Sequence, residues 1–371
     1  MTVKIVYVGI DVDDKAYHGS SYDAVSGDFR SFKCKPTAGS LLKKLSHYEK
    51  DYDIIRLCYE ASYIGCGLCR ILRNHGIECD IIAPSSIPTQ RGGRVKTDRL
   101  DSLKLAQYFA TGLLTSIEIP TEEDERVRSL IRTRQFQVVM RKKTKLHIQS
   151  HCRYMGLDYK AEAGGNVNYW TVKHLYWLQK KMQELEPLDR ISLEQALFML
   201  RCYDDTIGRL EAEIEQQSQT ERFKDRCELL CAFKGIQLLT AMTLLTELGD
   251  IRRFAHPKQL TSYCGLDISE YSSGGKEKKY GITKMGNRRV RTTLIESCQT
   301  ISRGNYVGKE LIKRREKVPQ EYRVIAEKCQ FRLSAKRRSM EQKSKHPNKI
   351  KAACAREMLG FIWEALTKIA A

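Results

Sequence analysis

The sequence predicts two structural classes in one chain: an α/β region at the amino terminus, followed by regions that are mainly helical. Three compact apolar runs, at residues 3–9, 53–59 and 78–83, have the length and composition of buried strands. Helical patterns separate these runs, and the resulting order β-β-β-α-β-α-β is typical of an α/β sheet. From Pro120 onward, the apolar residues recur mostly at helical spacing.

The first region can be divided into elements in chain order. The first core run ends in Gly-Ile-Asp-Val-Asp, the second ends at Glu60, and the third is closed by Pro84. Two further strands and two helices are predicted at residues 16–19, 29–34, 41–47 and 63–75. Asp98 can then cap or open another helix, which carries Asp101.

The remaining two thirds of the chain are predicted to be helical. A long amphipathic helix follows Pro120, and a heptad-like pattern from Ser192 to Gln217 indicates a short coiled coil or a helical hairpin, within the chain or between two copies. Residues 227–250 form two helical pieces broken at Lys234-Gly235, either a phosphate-binding helix-hairpin-helix or an ordinary helix pair. We expect three domains, at residues 1–154, 155–224 and 225–371.

The charge of the chain favours a polyanionic partner. The 371 residues carry a net charge of +19, and residues 271–350 hold 22 Lys or Arg against seven Asp or Glu. No apolar stretch is long enough for a membrane span, and the start lacks a signal-peptide pattern. The 13 scattered cysteines form no secreted-domain framework, so we expect a reducing cytoplasm.

Four carboxylates make the first candidate site. Asp11 and Glu60 end two core strands, while Asp98 and Asp101, three residues apart, share one face of the next helix. Clustered carboxylates repel one another unless a cation neutralises them, and their hard oxygens suit Mg²⁺ or Mn²⁺. The alternative is that these acids cap helices or form ion pairs with nearby arginines, Arg94 and Arg99.

A second candidate site lies at Ser272 and Ser273, which two glycines follow directly. A serine hydroxyl is a weak nucleophile and needs a base, a metal ion or strong anion stabilisation. The basic segment from Lys276 to Arg291 could supply that stabilisation at a phosphate. By itself, however, Ser-Ser-Gly-Gly is more typical of a flexible surface turn.

Four segments together resemble the insertion sequence 110 family of transposases, the DEDD-type recombinases related to the Piv DNA invertase. They read VGIDVDDK; CYEASYIGCGLCRILRNHGIECDIIAPS with RVKTDRLDSLKLA; FKGIQLLTAMTLLTELGDIRRF with YCGLDISEYSSGGKEKKYGITKMGNRRVRTTLIE; and FRLSAKRR with AREMLGFIWEA. The resemblance covers nearly the whole chain except about residues 155–220. It departs at Ser102, where the family usually has Ala, which is a conservative change.

The resemblance implies a RuvC-like domain of the RNase H type at the amino terminus and a C-terminal transposase domain. Between them lies the helical coiled-coil middle that the heptad-like pattern predicts, and we expect the C-terminal domain to be mainly helical. The resemblance also implies a divalent metal, Mg²⁺ or Mn²⁺, and a serine nucleophile that forms a transient phosphoserine link to DNA. We assign this role to Ser273, directly before Gly274, with Ser272 as the rival. The implied catalytic and metal-binding acids are Asp11, Glu60, Asp98 and Asp101.

Partners also follow from the resemblance: family members act on double-stranded DNA as homo-oligomers, dimers or tetramers, guided by a structured bridge RNA. The predicted nucleic-acid-binding residues are Arg94, Lys96, Lys276, Lys278, Lys279, Lys284, Asn287, Arg288 and Arg291. We therefore expect a site-specific recombinase in the bacterial cytoplasm, associated with the nucleoid when bound to DNA. Two rivals are a RuvC-like, metal-dependent Holliday-junction nuclease without a covalent intermediate and a non-enzymatic nucleic-acid-binding protein.

Overall fold

A computed structural model describes residues 3–88, 97–273 and 276–369 of the chain. The chain forms two compact units, Met1–Pro120 and Thr121–Ala371. Within the described residues, the first unit holds a five-stranded sheet with three helices, and the second is helical apart from one β-hairpin. The three predicted domains, with boundaries after residues 154 and 224, stay a prediction.

The first unit is a mixed sheet with strand order β3-β2-β1-β4-β5. Its strands are β1 (Ile5–Val12), β2 (Tyr17–Tyr22), β3 (Phe29–Cys34), β4 (Ile54–Glu60) and β5 (Glu78–Ile82), and its helices are α1 (Ala38–Leu45), α2 (Gly67–Asn74) and α3 (Asp98–Ala110). β1, β2 and β3 pair antiparallel, whereas β1, β4 and β5 pair parallel. The predicted order of strands and helices is confirmed.

Helices cover both faces of this sheet. Because side chains alternate along a strand, Val8 and Leu57 face one side, where they pack in a common core with Leu41 of α1. Cys58 faces the other side and packs with Leu105 of α3. The burial of both faces explains why the parallel strands read as continuous apolar runs in the sequence.

The second unit contains eleven described helices and one hairpin. These are α4 (Glu122–Tyr154), α5 (Tyr159–Glu162), α6 (Val172–Gln183), α7 (Pro187–Ser218), α8 (Lys224–Cys231), α9 (Leu238–Leu248), α10 (Pro257–Tyr263), β6 (Ile268–Ser273), β7 (Lys276–Ile282), α11 (Arg288–Ser297), α12 (Lys309–Glu316), α13 (Gln320–Gln342) and α14 (Pro347–Ile369). The main core joins α8, α9, α11, α13 and α14, and includes the fully buried Leu230, Met242, Leu294 and Leu359. The predicted packing of the closing amphipathic helix onto this region is confirmed.

The heptad-like segment pairs within the chain. α7 lies antiparallel against α4, as two ion pairs show: Arg134 with Glu211, and Arg141 with Asp204. The heptad positions Leu200, Ile207 and Ile214 are buried in this unit. Of the predicted alternatives, the structure therefore contains the intramolecular helical hairpin. No helix in the described part of the chain is long and apolar enough to cross a membrane.

Candidate active site and nucleic-acid interface

Asp11 and Glu60 lie on neighbouring strands at the carboxyl edge of the sheet. β1 and β4 run parallel, and their register pairs Ile10 with Tyr59, so the next residue on each strand is an acid. Side-chain alternation places both acids on the same face as Gly9, the face against which α3 packs. The predicted approach of these two strand ends is confirmed.

The first turn of α3 brings two more acids to this face. Thr97 is the N-cap, because its Oγ1 accepts a hydrogen bond from the Leu100 backbone N–H at 3.3 Å. Of the two roles predicted for Asp98, it therefore opens the helix and does not cap it. Asp98 and Asp101 both lie in the first turn, where the partial positive charge of the helix terminus stabilises carboxylates.

A ring of hydrogen bonds fixes this turn on the sheet. Arg99 Nε donates to Ser31 Oγ at 3.2 Å, and the Ser31 and Ser20 hydroxyls are 3.1 Å apart. The Ser20 and Ser102 hydroxyls are 2.9 Å apart, and Ser102 Oγ donates to the Arg99 carbonyl oxygen at 3.0 Å. Arg99, the alternative ion-pair partner of the acids, is thus used to hold α3, while Arg94 lies outside the described residues.

Gly9 sets the distance between the sheet and α3. A Cβ atom at this position would lie 2.2 Å from the Ser102 carbonyl oxygen and 2.5 Å from the Ala106 backbone nitrogen. Only a residue without a side chain allows this approach of helix backbone to strand. The glycine in the Val-Gly-Ile-Asp sequence therefore positions the helix that carries Asp98 and Asp101.

His18 lies beside the acids, and sequence reasoning missed it. It is the cross-strand neighbour of Asp11 in the β1–β2 pairing. Its Nδ1 lies 3.4 Å from Asp98 Oδ2. The available signal was the antiparallel pairing of the second predicted strand with the first, which brings residues 11 and 18 together.

The four acids fit a divalent cation by donor type and by location. They offer only carboxylate oxygens, the ligand type that Mg²⁺ and Mn²⁺ prefer, and they lie where one edge of the sheet meets α3. Among residues 3–88, 97–273 and 276–369, however, no group of three or more His, Cys, Asp or Glu side chains could hold a metal ion. The predicted ligands therefore share a location without forming a closed coordination set, and metal binding would require their carboxylates to approach one another.

The predicted serine turn belongs to a β-hairpin. β6 pairs antiparallel with β7, with Ser272 opposite Glu277 and Ser273 opposite Lys276. The expectation that both serines lie on a flexible turn is wrong, since their backbones form a paired strand. Ser273 is the last residue of β6; residues 274–275 and the two serine side chains lie outside the described part of the structure.

Two glycines hold the base of this hairpin. A Cβ at Gly265 (φ +64°) would lie 2.1 Å from the Met285 carbonyl oxygen, and one at Gly286 (φ +105°) would lie 2.1 Å from the Tyr263 carbonyl oxygen. The two loops are further joined by a hydrogen bond from the Lys284 N–H to the Gly265 carbonyl at 3.1 Å. The segments around these glycines in the sequence therefore form one packed unit that supports the serine strand.

The predicted nucleic-acid-binding residues divide into exposed and structural groups. Exposed side chains belong to Lys278, Lys279, Lys284 and Arg288. Arg94, Lys96 and the Lys276 side chain lie outside the part of the chain that can be described. The exposed group lies on β7, on the loop that follows it and at the start of α11, close in sequence to Ser273.

Arg291 and Asn287 were predicted to bind nucleic acid, but both are engaged within the protein. Arg291 is 8% exposed and its Nη1 donates to the Cys264 carbonyl oxygen at 2.8 Å, so it packs between the hairpin base and α11. Asn287 is the N-cap of α11, and its Nδ2 donates to Glu247 Oε2 at 3.0 Å. We correct both assignments to structural roles.

Glu247 is the buried carboxylate that organises this region. It is 2% exposed and receives two hydrogen bonds from Arg132, at 2.8 and 2.9 Å, besides the one from Asn287. Burial alone would raise the pKa of Glu247, but the hydrogen bonds from Arg132 and Asn287 outweigh it and the pKa is lowered. Helices α4, α9 and α11 therefore meet at one ionised side chain.

Comparison with known proteins identifies the family. The family model described as transposase IS116/IS110/IS902 matches residues 227–313, and the IS110-type DEDD transposase model matches residues 8–155. A y4qE protein of Sinorhizobium fredii, named as a transposase, is 32% identical over 96% of this chain and 87% of its own length. The transposase of insertion sequence element IS1533 from Leptospira borgpetersenii is 26% identical over 92% of this chain and 98% of its own.

Another relative is named for gene inversion and not for transposition. The pilin gene-inverting protein of Moraxella bovis is 23% identical over 61% of this chain and 59% of its own. The two family models fall on the acidic edge of the first unit and on the segment that contains the serine hairpin. The chain belongs to the IS110 family of transposases, enzymes that act on DNA.

Proposed function

We propose that the protein is a site-specific recombinase that uses Ser273 as its nucleophile, with the acids Asp11, Glu60, Asp98 and Asp101 binding Mg²⁺ or Mn²⁺. The observation that carries the proposal is the collection of these acids on one face at one sheet edge. The strand order β3-β2-β1-β4-β5, with two antiparallel pairings followed by two parallel pairings, supports a RuvC-like fold of the RNase H type.

In the proposed step, Ser273 Oγ attacks the scissile phosphorus. A bond from Oγ to phosphorus forms, the bond to the leaving DNA oxygen breaks, the Oγ proton passes to a base and the leaving oxygen takes up a proton. The bound cation would stabilise the negative charge that develops on the phosphate and lower the pKa of the attacking hydroxyl. In the rejoining step a DNA hydroxyl attacks the phosphorus of the phosphoserine link. A bond from the DNA oxygen to phosphorus forms, the bond from Ser273 Oγ to phosphorus breaks, the proton of the attacking hydroxyl passes to a base, and Ser273 Oγ takes up a proton.

The exposed cations of the hairpin region would hold the DNA. Lys278, Lys279, Lys284 and Arg288 can contact phosphates and position the backbone without reading its sequence. Lys276, Arg94 and Lys96 are proposed for the same task from their place in the sequence. In agreement with the resemblance, we propose that a structured guide RNA supplies target choice by base pairing, a division of labour known for other RNA-guided systems.

Two further parts of the proposal concern assembly and location. The enzyme would act as a dimer or tetramer, in the bacterial cytoplasm and at the nucleoid. Light scattering of the protein with and without DNA measures the first, and a mass of one chain in both conditions would contradict it. Digestion of copurifying RNA tests the guide: strand exchange should be lost and return when the RNA is added back, and full exchange after digestion would contradict it.

The serine assignment is tested by two matched variants. Ser273→Ala should abolish strand exchange and the covalent protein–DNA adduct while DNA binding persists; Ser272→Ala, one residue earlier on the same strand, should retain the adduct. Asp11→Asn should also abolish exchange. A metal-dependent nuclease without a covalent step predicts that Asp11→Asn is inactive and Ser273→Ala active, and a protein that only binds nucleic acid predicts no cleavage by the wild type.

A further inference from the structure

The second unit contains a groove with a volume of about 1050 Å³. It is lined by α4, the loop between α8 and α9 together with the first half of α9, α11, the segment between α11 and α12 that contains Tyr306, and α12. This volume slightly exceeds the range of small-molecule pockets, roughly 300–1,000 Å³. The groove is therefore large enough for an extended ligand.

Positive charge dominates the groove lining. Two carboxylates, Glu296 and Glu310, face six cationic side chains. The six are Arg132, Arg134, Lys234, Arg288, Arg289 and Arg314. A surface with this excess attracts a polyanion.

An ion pair with Glu211 neutralises Arg134, but the contacts of the other cations leave much of their charge in place. Arg314 donates to the carbonyl oxygens of Ile236, at 2.6 Å, and of its own helix, at 3.3 Å, and neutral acceptors do not cancel its charge. Arg132 and Arg289 share the single carboxylate of Glu247, at 2.8 and 3.9 Å. Arg288 is exposed at the start of α11.

Aromatic and apolar side chains stand among these cations with their surfaces in solvent. Tyr306 is 72% exposed, Phe136 is 56% exposed and Val139 is 49% exposed, and all three line the groove. Exposed aromatic rings beside cations are typical of sites that bind unpaired bases, because a base stacks on the ring while its phosphate contacts an arginine or lysine. In a duplex the faces of the bases are covered by their neighbours and cannot stack on a protein ring.

We propose that this groove binds a single-stranded segment of nucleic acid, with Tyr306 and Phe136 stacking on bases and Arg288 and Arg314 contacting phosphates. The inference rests on the proposed function only in taking a nucleic acid as the natural ligand, and it does not depend on Ser273 or on the acids. The shared chemistry is an unpaired base with its phosphodiester backbone, which DNA and RNA both offer.

The test measures the binding of labelled oligo(dT), oligo(U) and a DNA duplex of equal length to the full chain. Fluorescence anisotropy reports the binding, and EDTA removes divalent metal ions from the solution. Tyr306→Ala should weaken binding of one or both single strands about tenfold, the loss expected from one stacking contact. Tyr176→Ala is the matched control, because Tyr176 is 71% exposed on α6 and is not among the residues that line the groove.

The charged wall has its own test. With oligo(dT) or oligo(U) as the ligand, Arg288→Gln should reduce the steepness of the plot of log binding constant against log salt concentration by about 0.7. This is the value for one phosphate contact to a single strand. Arg190→Gln on α7, 45% exposed, should leave the slope unchanged. If Tyr306→Ala loses affinity for oligo(dT) alone, the ligand is DNA. If it loses affinity for oligo(U) alone, the ligand is RNA.

Three results would overturn the inference. One is wild-type affinity of both Tyr306→Ala and Arg288→Gln for every single strand. Another is an equal loss of duplex binding in Tyr306→Ala, which would mean that stacking is not involved. The third is a change of oligomeric state in Tyr306→Ala with unchanged oligonucleotide binding, which would assign the groove to a protein partner.

Discussion

Replacing Gly9 with alanine should separate the acidic residues of the first unit while leaving the second unit unchanged. Gly9 lies on β1 two residues before Asp11, and α3 crosses it closely. The new Cβ would lie 2.2 Å from the Ser102 carbonyl oxygen, whereas ordinary contacts of this kind begin at 3.4 Å. Both atoms belong to backbone or are fixed to it, so no side-chain rotation can relieve the overlap.

The difference between the 2.2 Å separation and an ordinary contact of 3.4 Å sets the size of the expected displacement. The helix must move by about 1 Å, or the strand must yield by a comparable amount. Overpacking of this kind costs about 1–3 kcal/mol of folding free energy. A 1 Å displacement of catalytic groups costs on the order of a hundredfold in rate. Asp98 and Asp101 move with the helix and Asp11 and Glu60 stay with the strands, so we expect the loss of activity to exceed the loss of stability.

The matched control is Gly39→Ala in α1 of the same unit, where an added Cβ meets nothing within 4 Å. Thermal unfolding measures stability, and DNA cleavage as a function of Mg²⁺ concentration measures the site. Gly9→Ala should unfold at a lower temperature than Gly39→Ala and should need more Mg²⁺ for any residual cleavage. Wild-type cleavage and stability in Gly9→Ala would refute the account of how α3 is positioned.

Two further predictions concern the second unit. Glu247→Gln should destabilise it by about 2 kcal/mol at neutral pH, because the buried carboxylate loses charge while Arg132 keeps its own. Since the folded pKa of Glu247 is lowered, its contribution is complete above the unfolded value of about 4.3 and is lost as pH falls through the folded pKa; in denaturant titrations the wild type and Glu247→Gln should converge in acid, and a constant difference would contradict the assignment. Gly286→Ala should also destabilise the unit and reduce strand exchange, because φ is +105° and the Tyr263 carbonyl blocks the methyl group; Gly281→Ala in β7, with open space around it, should do neither, and equal behaviour of the two variants in thermal unfolding would contradict the packing of the hairpin base.

The order of elements in the first unit could be predicted because each core strand has a recognisable pattern in its own local sequence. The run before Asp11 and the run before Glu60 are buried on both faces, so the sequence shows them as continuous apolar segments. Parallel pairing and side-chain alternation then place both acids at one edge and on one face. His18 was missed because its position beside Asp11 depends on the register of the β1–β2 hairpin, and the polar sequence of β2 does not indicate that register.

The roles of the basic residues could not be read in the same way. Arg288 and Arg291 belong to one Gly-Asn-Arg-Arg-Val-Arg segment, yet the first is exposed and the second is buried. The difference arises from Gly265, whose missing side chain leaves room for the Arg291 guanidinium; an added Cβ would lie 2.7 Å from its Nη1. That contact joins residues 26 positions apart, and no local pattern indicates it.

The serine hairpin shows the same limit at shorter range. Ser-Ser-Gly-Gly has the composition of a turn, but the backbones of both serines pair with β7. The lysine-rich segment that follows reads as a solvated charge run, although it supplies the partner strand β7. Pairing of β6 with β7 therefore outweighs the local turn propensity of the two serines.

The central claim, a covalent serine intermediate, is tested most directly by identifying the residue that becomes linked to DNA. A DNA substrate with a nick just beyond the scissile phosphate would allow the adduct to accumulate, and peptide mapping by mass spectrometry would locate the modified side chain. The account predicts a nucleotide mass on Ser273 in the wild type and no adduct in Ser273→Ala. Cleavage without an adduct, or an adduct on Ser272 or any other residue, would contradict it.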